Sequence, residues 1–261
     1  MTNTVQSKVQ AAPLIEIRGL TKAFGENRVL NGLSLSLDKG ESFVVIGGSG
    51  TGKSVLIKCI LGLLTPDSGE IYINGSNFQE LSANERQKIL MRFGMLFQGG
   101  ALFDSMTVAE NIAFGLVQGL RMDTQKARKI ALKKLDSVDL SKQVADKYPA
   151  ELSGGMQKRV ALARAIATNP DIIFFDEPTT GLDPIISGTI NDLILRCVRD
   201  IGASAITITH DINSLRKIAD LVGLLYKGQF IWQGTVQQMD ETSNPYVDQF
   251  IRGKPIGPFT S

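Results

Sequence analysis

Eight consecutive residues, Gly47-Gly48-Ser49-Gly50-Thr51-Gly52-Lys53-Ser54, match the pattern G-x-x-x-x-G-K-[ST] in full. A loop of this composition is suited to holding phosphate. Its glycines let the backbone wrap an anion without Cβ clashes. Backbone N–H groups, and the positive end of a helix opening toward Val55, supply the attraction. Lys53 is placed to reach the β- and γ-phosphates of a nucleoside triphosphate, and Ser54 to bind Mg²⁺. The pattern alone can arise by chance on a structural turn. Here the apolar run Phe43-Val44-Val45-Ile46 leads into Gly47, and Val55 to Leu64 reads as a helix. Strand, loop and helix together form the setting such a loop needs.

Further residues could work on that phosphate. Asp176 ends the apolar run Ile172-Ile173-Phe174-Phe175, and Glu177 follows it. Ligands bind at strand ends of parallel sheets, so Asp176 could hold Mg²⁺ through a water and Glu177 could polarise an attacking water. His210, the single histidine, follows the apolar stretch Ala205 to Thr209. Its position favours contact with the γ-phosphate. Gln98 follows Met95-Leu96-Phe97, read as a short strand, and could touch both Mg²⁺ and water. Ser153 precedes Gly154, Gly155 and a periodic helix through Ile166. As a reading of residues alone this is an N-cap. Phe97, Leu102, Phe103 and Met106 place large apolar groups around Gln98, which suggests a docking segment or the core of an insert.

The elements that must carry these residues are visible in outline. Leu14 to Ile17 and Leu33 to Leu37 alternate with period two and read as strands, with Asn31-Gly32 suggesting the turn between them. The helix from Val55 stops at Thr65-Pro66-Asp67-Ser68-Gly69. Glu70 to Ile73 is a strand closed by Asn74-Gly75. From about residue 100 to 165 the pattern becomes helical, with Lys126 to Leu135 amphipathic. Strands alternating with helices then imply a parallel sheet. Asn244 to Ser261 is rich in Pro and Gly and reads as an irregular tail.

Composition narrows the class. The chain has 261 residues, 43% hydrophobic and 21% charged, which is ordinary for a globular protein. A net charge of +2 gives no support for nucleic acid as a partner. No apolar run is long enough to cross a bilayer, and the polar stretch Met1 to Pro13 lacks the apolar region of a secretory signal. Cys59 and Cys197 have no metal-ligand spacing and read as buried, reduced thiols.

The ordered set of phosphate loop, Gln98, Leu152-Ser153-Gly154-Gly155, Asp176-Glu177, Gly181-Leu182-Asp183 and His210 resembles the ATP-binding cassette (ABC) ATPase family over nearly the whole chain. The resemblance implies an α/β fold of the P-loop NTPase type: a parallel-sheet core, an antiparallel β subdomain and a helical subdomain. It places the ATPase domain at 14–240 and, at 241–261, a C-terminal tail that would reach across a dimer. It implies ATP and Mg²⁺ as ligands, with each ATP sandwiched between two copies in a homodimer. Ser153, Gly154 and Gly155 would pin the partner copy's γ-phosphate, Asp183 would cross the dimer, and Phe24 would stack on adenine. Two positions depart from the common pattern: Met156 where many members carry Gln, and Phe24 where Tyr is frequent.

The stretches Met95 to Asp104, Glu151 to Met156, Asp183-Pro184-Ile185 and Gln249 to Phe259 are similar to the ATPases of the Mla phospholipid transport system. That branch implies a homodimer beneath a two-copy inner-membrane permease, on the cytoplasmic face. It also implies a small STAS-domain partner and a periplasmic MCE-domain lipid-binding protein. The alternatives are an ABC ATPase for another substrate, a soluble ABC protein acting on DNA or ribosomes, and a nucleotide-binding regulator without turnover. Intact Lys53, Glu177 and His210 speak against the last.

Overall fold

A computed structural model describes residues 12–260. Most of the polar N-terminal stretch, residues 1–11, and Ser261 at the end of the tail lie outside the described residues.

Two sheets form the frame. β1 (Ile15–Phe24), β2 (Asn27–Leu37), β4 (Ser68–Ile73) and β5 (Ser76–Asn77) make an antiparallel sheet in the order β2-β1-β4-β5. The second sheet contains β3 (Ser42–Ile46), β6 (Phe93–Leu96), β7 (Ile172–Asp176), β8 (Ser204–Ile208), β9 (Leu221–Tyr226) and β10 (Gln229–Thr235). Its order is β10-β9-β3-β8-β7-β6, with every pairing parallel except β10 on β9.

Alternation along the buried strands divides the core. Ile172 and Phe174 of β7 join Phe43 and Val45 of β3 on one face, under Leu56 and Ile57 of α1 (Lys53–Ile60). Ile173 and Phe175 point to the other face, against α5 (Gly154–Ala165) and α6 (Pro184–Ile201). A strand buried on both faces reads as a continuous apolar run, which is why the period-two signal vanishes there. Cys59 and Cys197 are buried and free, and burial pushes both thiols up to about 11.

The helical insert contains α3 (Val108–Phe114), a π-helical turn at Gly115–Gly119, α4 (Thr124–Ser137) and α5. In α4, Ala127, Ala131 and Leu135 are buried at four-residue spacing, as amphipathic periodicity predicts. Short polar side chains fix the starts: Thr107 with Glu110 makes a capping box on α3, and Asp123 caps α4. α2 (Ala83–Leu90) has no fully buried residue and a weak apolar stripe, so little in its residue pattern marks it as a helix. α7 (Ile212–Ile218) follows β8, and α8 (Val236–Glu241) follows β10.

Four expectations need correction. The turn between β1 and β2 is at Gly25-Glu26; Asn31-Gly32 lies inside β2, where the pairing register slips between Leu20 and Thr21. Gly32 takes the left-handed φ of +75° that this irregularity requires. The helix after the phosphate loop ends at Ile60 rather than Leu64, because Gly62 turns left-handed at φ +68°. The strand before Gln98 ends at Leu96, so Phe97 lies outside it.

The tail is ordered rather than irregular. α9 (Pro245–Arg252) is capped by Asn244, carries Pro245 in its first turn and stops at Gly253. Here Pro and Gly punctuate a helix. Val247 is fully buried, and the Phe259 ring lies 4.9 Å from that of Tyr226 at the end of β9.

Candidate functional site

The phosphate loop joins β3 to α1, and its glycines are sterically required. A Cβ on Gly47 would lie 2.4 Å from the Leu225 carbonyl oxygen of the neighbouring strand. One on Gly52, which sits at φ +104°, would lie 2.8 Å from the Val29 carbonyl oxygen. Lys53 is buried, and its Nζ donates to the carbonyl oxygens of Gly47 at 2.8 Å and Gly48 at 2.7 Å. Burial holds its pKa below the ordinary lysine value, opposed by the charges of Glu177 and Asp176. The lysine is thus pre-set across the loop, near two carboxylates.

The other candidates arrive at adjacent strand ends. β6, β7, β8 and β3 are consecutive neighbours in the sheet, so Gln98, Asp176-Glu177, His210 and the loop emerge along one edge. Glu177 is at their centre. Its Oε2 accepts from Gln98 Nε2 at 3.3 Å and from Thr180 Oγ1 at 2.8 Å, while Oε1 lies 3.4 Å from His210 Nδ1. Its backbone N–H donates to the Ile208 carbonyl oxygen at 2.9 Å. The residue has a left-handed φ of +47°, which costs a non-glycine residue about 1 kcal/mol or more. Strain at this position shows that the carboxylate is held rather than merely tethered.

A cavity of about 680 Å³ is lined by Gly47, Gly48, Ser49, Gly50, Thr51, Gly52, Lys53, Ser54 and Val55 together with Gln98, Glu177 and His210. Asp176 is half-buried behind it and is not on its wall. Burial, reinforced by the charge of Glu177, raises the Asp176 pKa above the ordinary carboxylate value. Five other expected contributors lie elsewhere. Phe24 is at the tip of the β1–β2 hairpin, half exposed, with the Lys22 ammonium 5.7 Å from its ring centre. Ser153 caps α5, accepting from the Met156 N–H at 3.4 Å, and Gly154 and Gly155 form the first turn. Asp183 caps α6 through the N–H groups of Ile185 and Ile186, both at 3.0 Å. None of these residues lines the loop's cavity within one chain.

The structure adds residues that sequence reasoning missed. Val29 and Phe250 complete the cavity wall, and nothing local marked either of them. Lys158 and Arg164 pin α5 to the segment after Gln98. Lys158 Nζ donates to the Gln98 carbonyl oxygen, and Arg164 donates to the carbonyl oxygens of Gly100 at 2.6 Å and Ala101 at 2.7 Å. Burial lowers the pKa of both cations. The signal that could have found them is Lys158 and Arg164 flanking the apolar run Val160 to Ala163 of α5. Phe103, offered as a docking residue, packs at 4.6 Å on Phe114 with the Arg164 guanidinium at 5.8 Å, yet stays 40% exposed. Arg164→Met strips two backbone carbonyls of their donor. It should lower the unfolding free energy by about 2 kcal/mol, read from urea denaturation.

A phosphate loop at one strand end, with an acid, an amide and a histidine at neighbouring strand ends, defines a P-loop nucleoside triphosphatase. The sequence profile of the ABC transporter family matches residues 30–180. The chain therefore belongs to the ABC transporter family, as an ATPase that couples hydrolysis to transport. It is 41% identical over 244 residues to the "probable ribonucleotide transport ATP-binding protein mkl" of Mycobacterium leprae, covering 94% of this chain and 70% of that one. It is 40% identical over 245 residues to the "intermembrane phospholipid transport system ATP-binding protein MlaF" of Haemophilus influenzae, covering 94% of this chain and 92% of that one. A solved dimeric ATP-binding cassette, in a post-hydrolysis state bound to ADP and Pi, superposes with a TM-score of 0.77 at 33% identity. That match covers 85% of this chain and 98% of the other.

Proposed function

We propose that this chain powers a transporter of phospholipids between two membranes of a cell envelope. The observation that carries this reading is the similarity to the Haemophilus protein, which extends across 94% of this chain and 92% of that one. ATP binding and hydrolysis would close and open a homodimer, and a membrane permease would read the change of shape. The chain would sit on the cytoplasmic face of the inner membrane, beneath a two-copy permease, beside a STAS-domain protein and an MCE-domain lipid carrier. No described helix is long and apolar enough to cross a membrane, so on this reading lipid passes through partners.

In the catalytic cycle, Lys53 and the N–H groups of Gly47 to Val55 bind the phosphates. Glu177, held by Gln98 and Thr180, takes the proton from the attacking water. His210 stands beside it to contact the γ-phosphate. Ser54, Gln98 and Asp176 offer a hydroxyl, an amide and a carboxylate, the hard oxygen donors that suit Mg²⁺. Among the described residues no cluster of three His, Cys, Asp or Glu forms a closed metal cage, which fits an ion held largely by phosphate and water. When bound, Mg²⁺ neutralises phosphate charge. Phe24 is free to stack on adenine from the hairpin tip. Ser153-Gly154-Gly155 and Asp183 serve the site of the partner copy.

The similarity to the mycobacterial protein favours a second reading, an ATPase for ribonucleotide uptake. A deletion strain separates the two. Loss of the phospholipid transporter should make cells sensitive to detergent with chelator and place phospholipid in the outer leaflet. The wild-type gene restores the barrier and a Lys53→Ala copy does not. An intact barrier with lost ribonucleotide uptake would reverse the choice and leave the ATPase assignment standing.

A further inference from the structure

His210 sits in a turn whose anchoring reaches deep into the core. On α6, Ile190, Leu193, Ile194 and Cys197 are buried apolar residues, and Asn191 is buried beside them at 4% exposure. Its Nδ2 donates to Ser214 Oγ on α7 at 2.7 Å. Ser214, fully buried, donates onward to Asp211 Oδ2 at 2.5 Å. Asp211 Oδ1 accepts from the Asn213 N–H at 2.9 Å, and the Asp211 N–H donates to Thr209 Oγ1 at 3.0 Å. Both neighbours of His210 are thereby fixed, one of them through a buried chain ending on α6. The chain has a direction. A serine hydroxyl has one hydrogen, which goes to Asp211, so residue 191 must supply a donor.

Core stability does not require an amide at position 191. Asn191 Oδ1 is the one buried side-chain nitrogen or oxygen among the described residues that finds no hydrogen-bond partner. Such an atom is destabilising, and an apolar residue of similar volume would remove it. Asn191 also lines a separate cavity of about 520 Å³, together with Thr180, Gly181, Pro184, His210 and Asp211. That cavity lies between the segment leading into α6 and the histidine turn.

We propose that Asn191 and Ser214 are positioning residues for His210, a buried relay that transmits the placement of α6 and of Gly181–Asp183 to the histidine at the nucleotide cavity. The inference rests on His210 acting at the γ-phosphate. Asn191→Leu and Ser214→Ala should each lower kcat for ATP about tenfold with KM unchanged, the scale of coupling through a contiguous network. Ser214→Thr keeps the hydroxyl and restores kcat, whereas Ser214→Val, of the same shape as threonine but without the hydroxyl, does not. Asn191→Leu should melt no lower than the parent; if it fails to fold, Ser214→Ala decides. In a His210→Ala background, single-turnover hydrolysis should show no further loss from either substitution. A drop of equal size in that background, or wild-type kcat in both single variants, overturns the relay. His210→Ala with full turnover removes the histidine reading and the relay with it. A dead His210→Ala beside fully active Asn191→Leu and Ser214→Ala removes the relay alone.

Discussion

Glu177→Gln binds ATP normally and hydrolyses it about 10²- to 10⁴-fold more slowly, the usual loss for a general base. The substitution preserves volume and leaves an amide oxygen to accept from Thr180 Oγ1, which now bonds the carboxylate at 2.8 Å. What it removes is the capacity to take a proton. The loop is untouched, since Lys53 is held by the Gly47 and Gly48 carbonyls and not by Glu177. Binding and turnover should therefore separate. Equilibrium dialysis with labelled ATP measures the first, and phosphate release with the permease present measures the second. Near-normal release would remove Glu177 as the base. Lys53→Ala is the contrast, because it should fail at binding.

How much of this site could be read from sequence depends on the range of the forces that build it. The phosphate loop is local: a buried strand, glycines where Cβ atoms would collide with Leu225 and Val29, then a helix. Asp176 and His210 were legible because buried parallel strands are continuous apolar runs with abrupt polar ends. The clamp on Glu177 was not. It needs β6, β7 and β8 to be neighbours, and no window of sequence states strand order. Phe250 was invisible for the same reason, since it reaches the cavity from α9. Two local signals misled. Asn31-Gly32 has turn chemistry but serves a register slip within β2. Pro245 and Gly253 suggested disorder by composition, but they stand at the two ends of a helix. The residues left outside the cavity have a different explanation. Ser153 to Gly155 and Asp183 are assigned through resemblance to a family that works in pairs, and on the proposed reading one chain presents them to a second copy, while Phe24 stands at a hairpin tip off the cavity wall.

Two inactive variants should restore hydrolysis when mixed. Lys53→Ala breaks the phosphate-loop half of a site, and Ser153→Arg blocks the Ser-Gly-Gly half with a bulky cation. Within one chain the cavity walls include all of Gly47 to Val55 and nothing of Ser153 to Gly155. If each ATP lies between the loop of one copy and Ser153 of the other, each pure mutant dimer has two broken sites. The mixed dimer gathers both lesions into one site and leaves the other whole. Random mixing makes about half the dimers mixed, so activity should return to roughly a quarter of wild type or less if the sites cooperate. A physical readout stands beside the kinetic one. Cys59 and Cys197 are buried with raised thiol pKa values, so new surface cysteines would react alone. Ser49→Cys avoids the strained φ of +74° at Gly50. Combined with Ser153→Cys on the other copy, it should form an interchain disulfide only when ATP is bound and hydrolysis is blocked by Glu177→Gln. No interchain disulfide in confirmed mixed dimers with ATP bound would overturn the composite site.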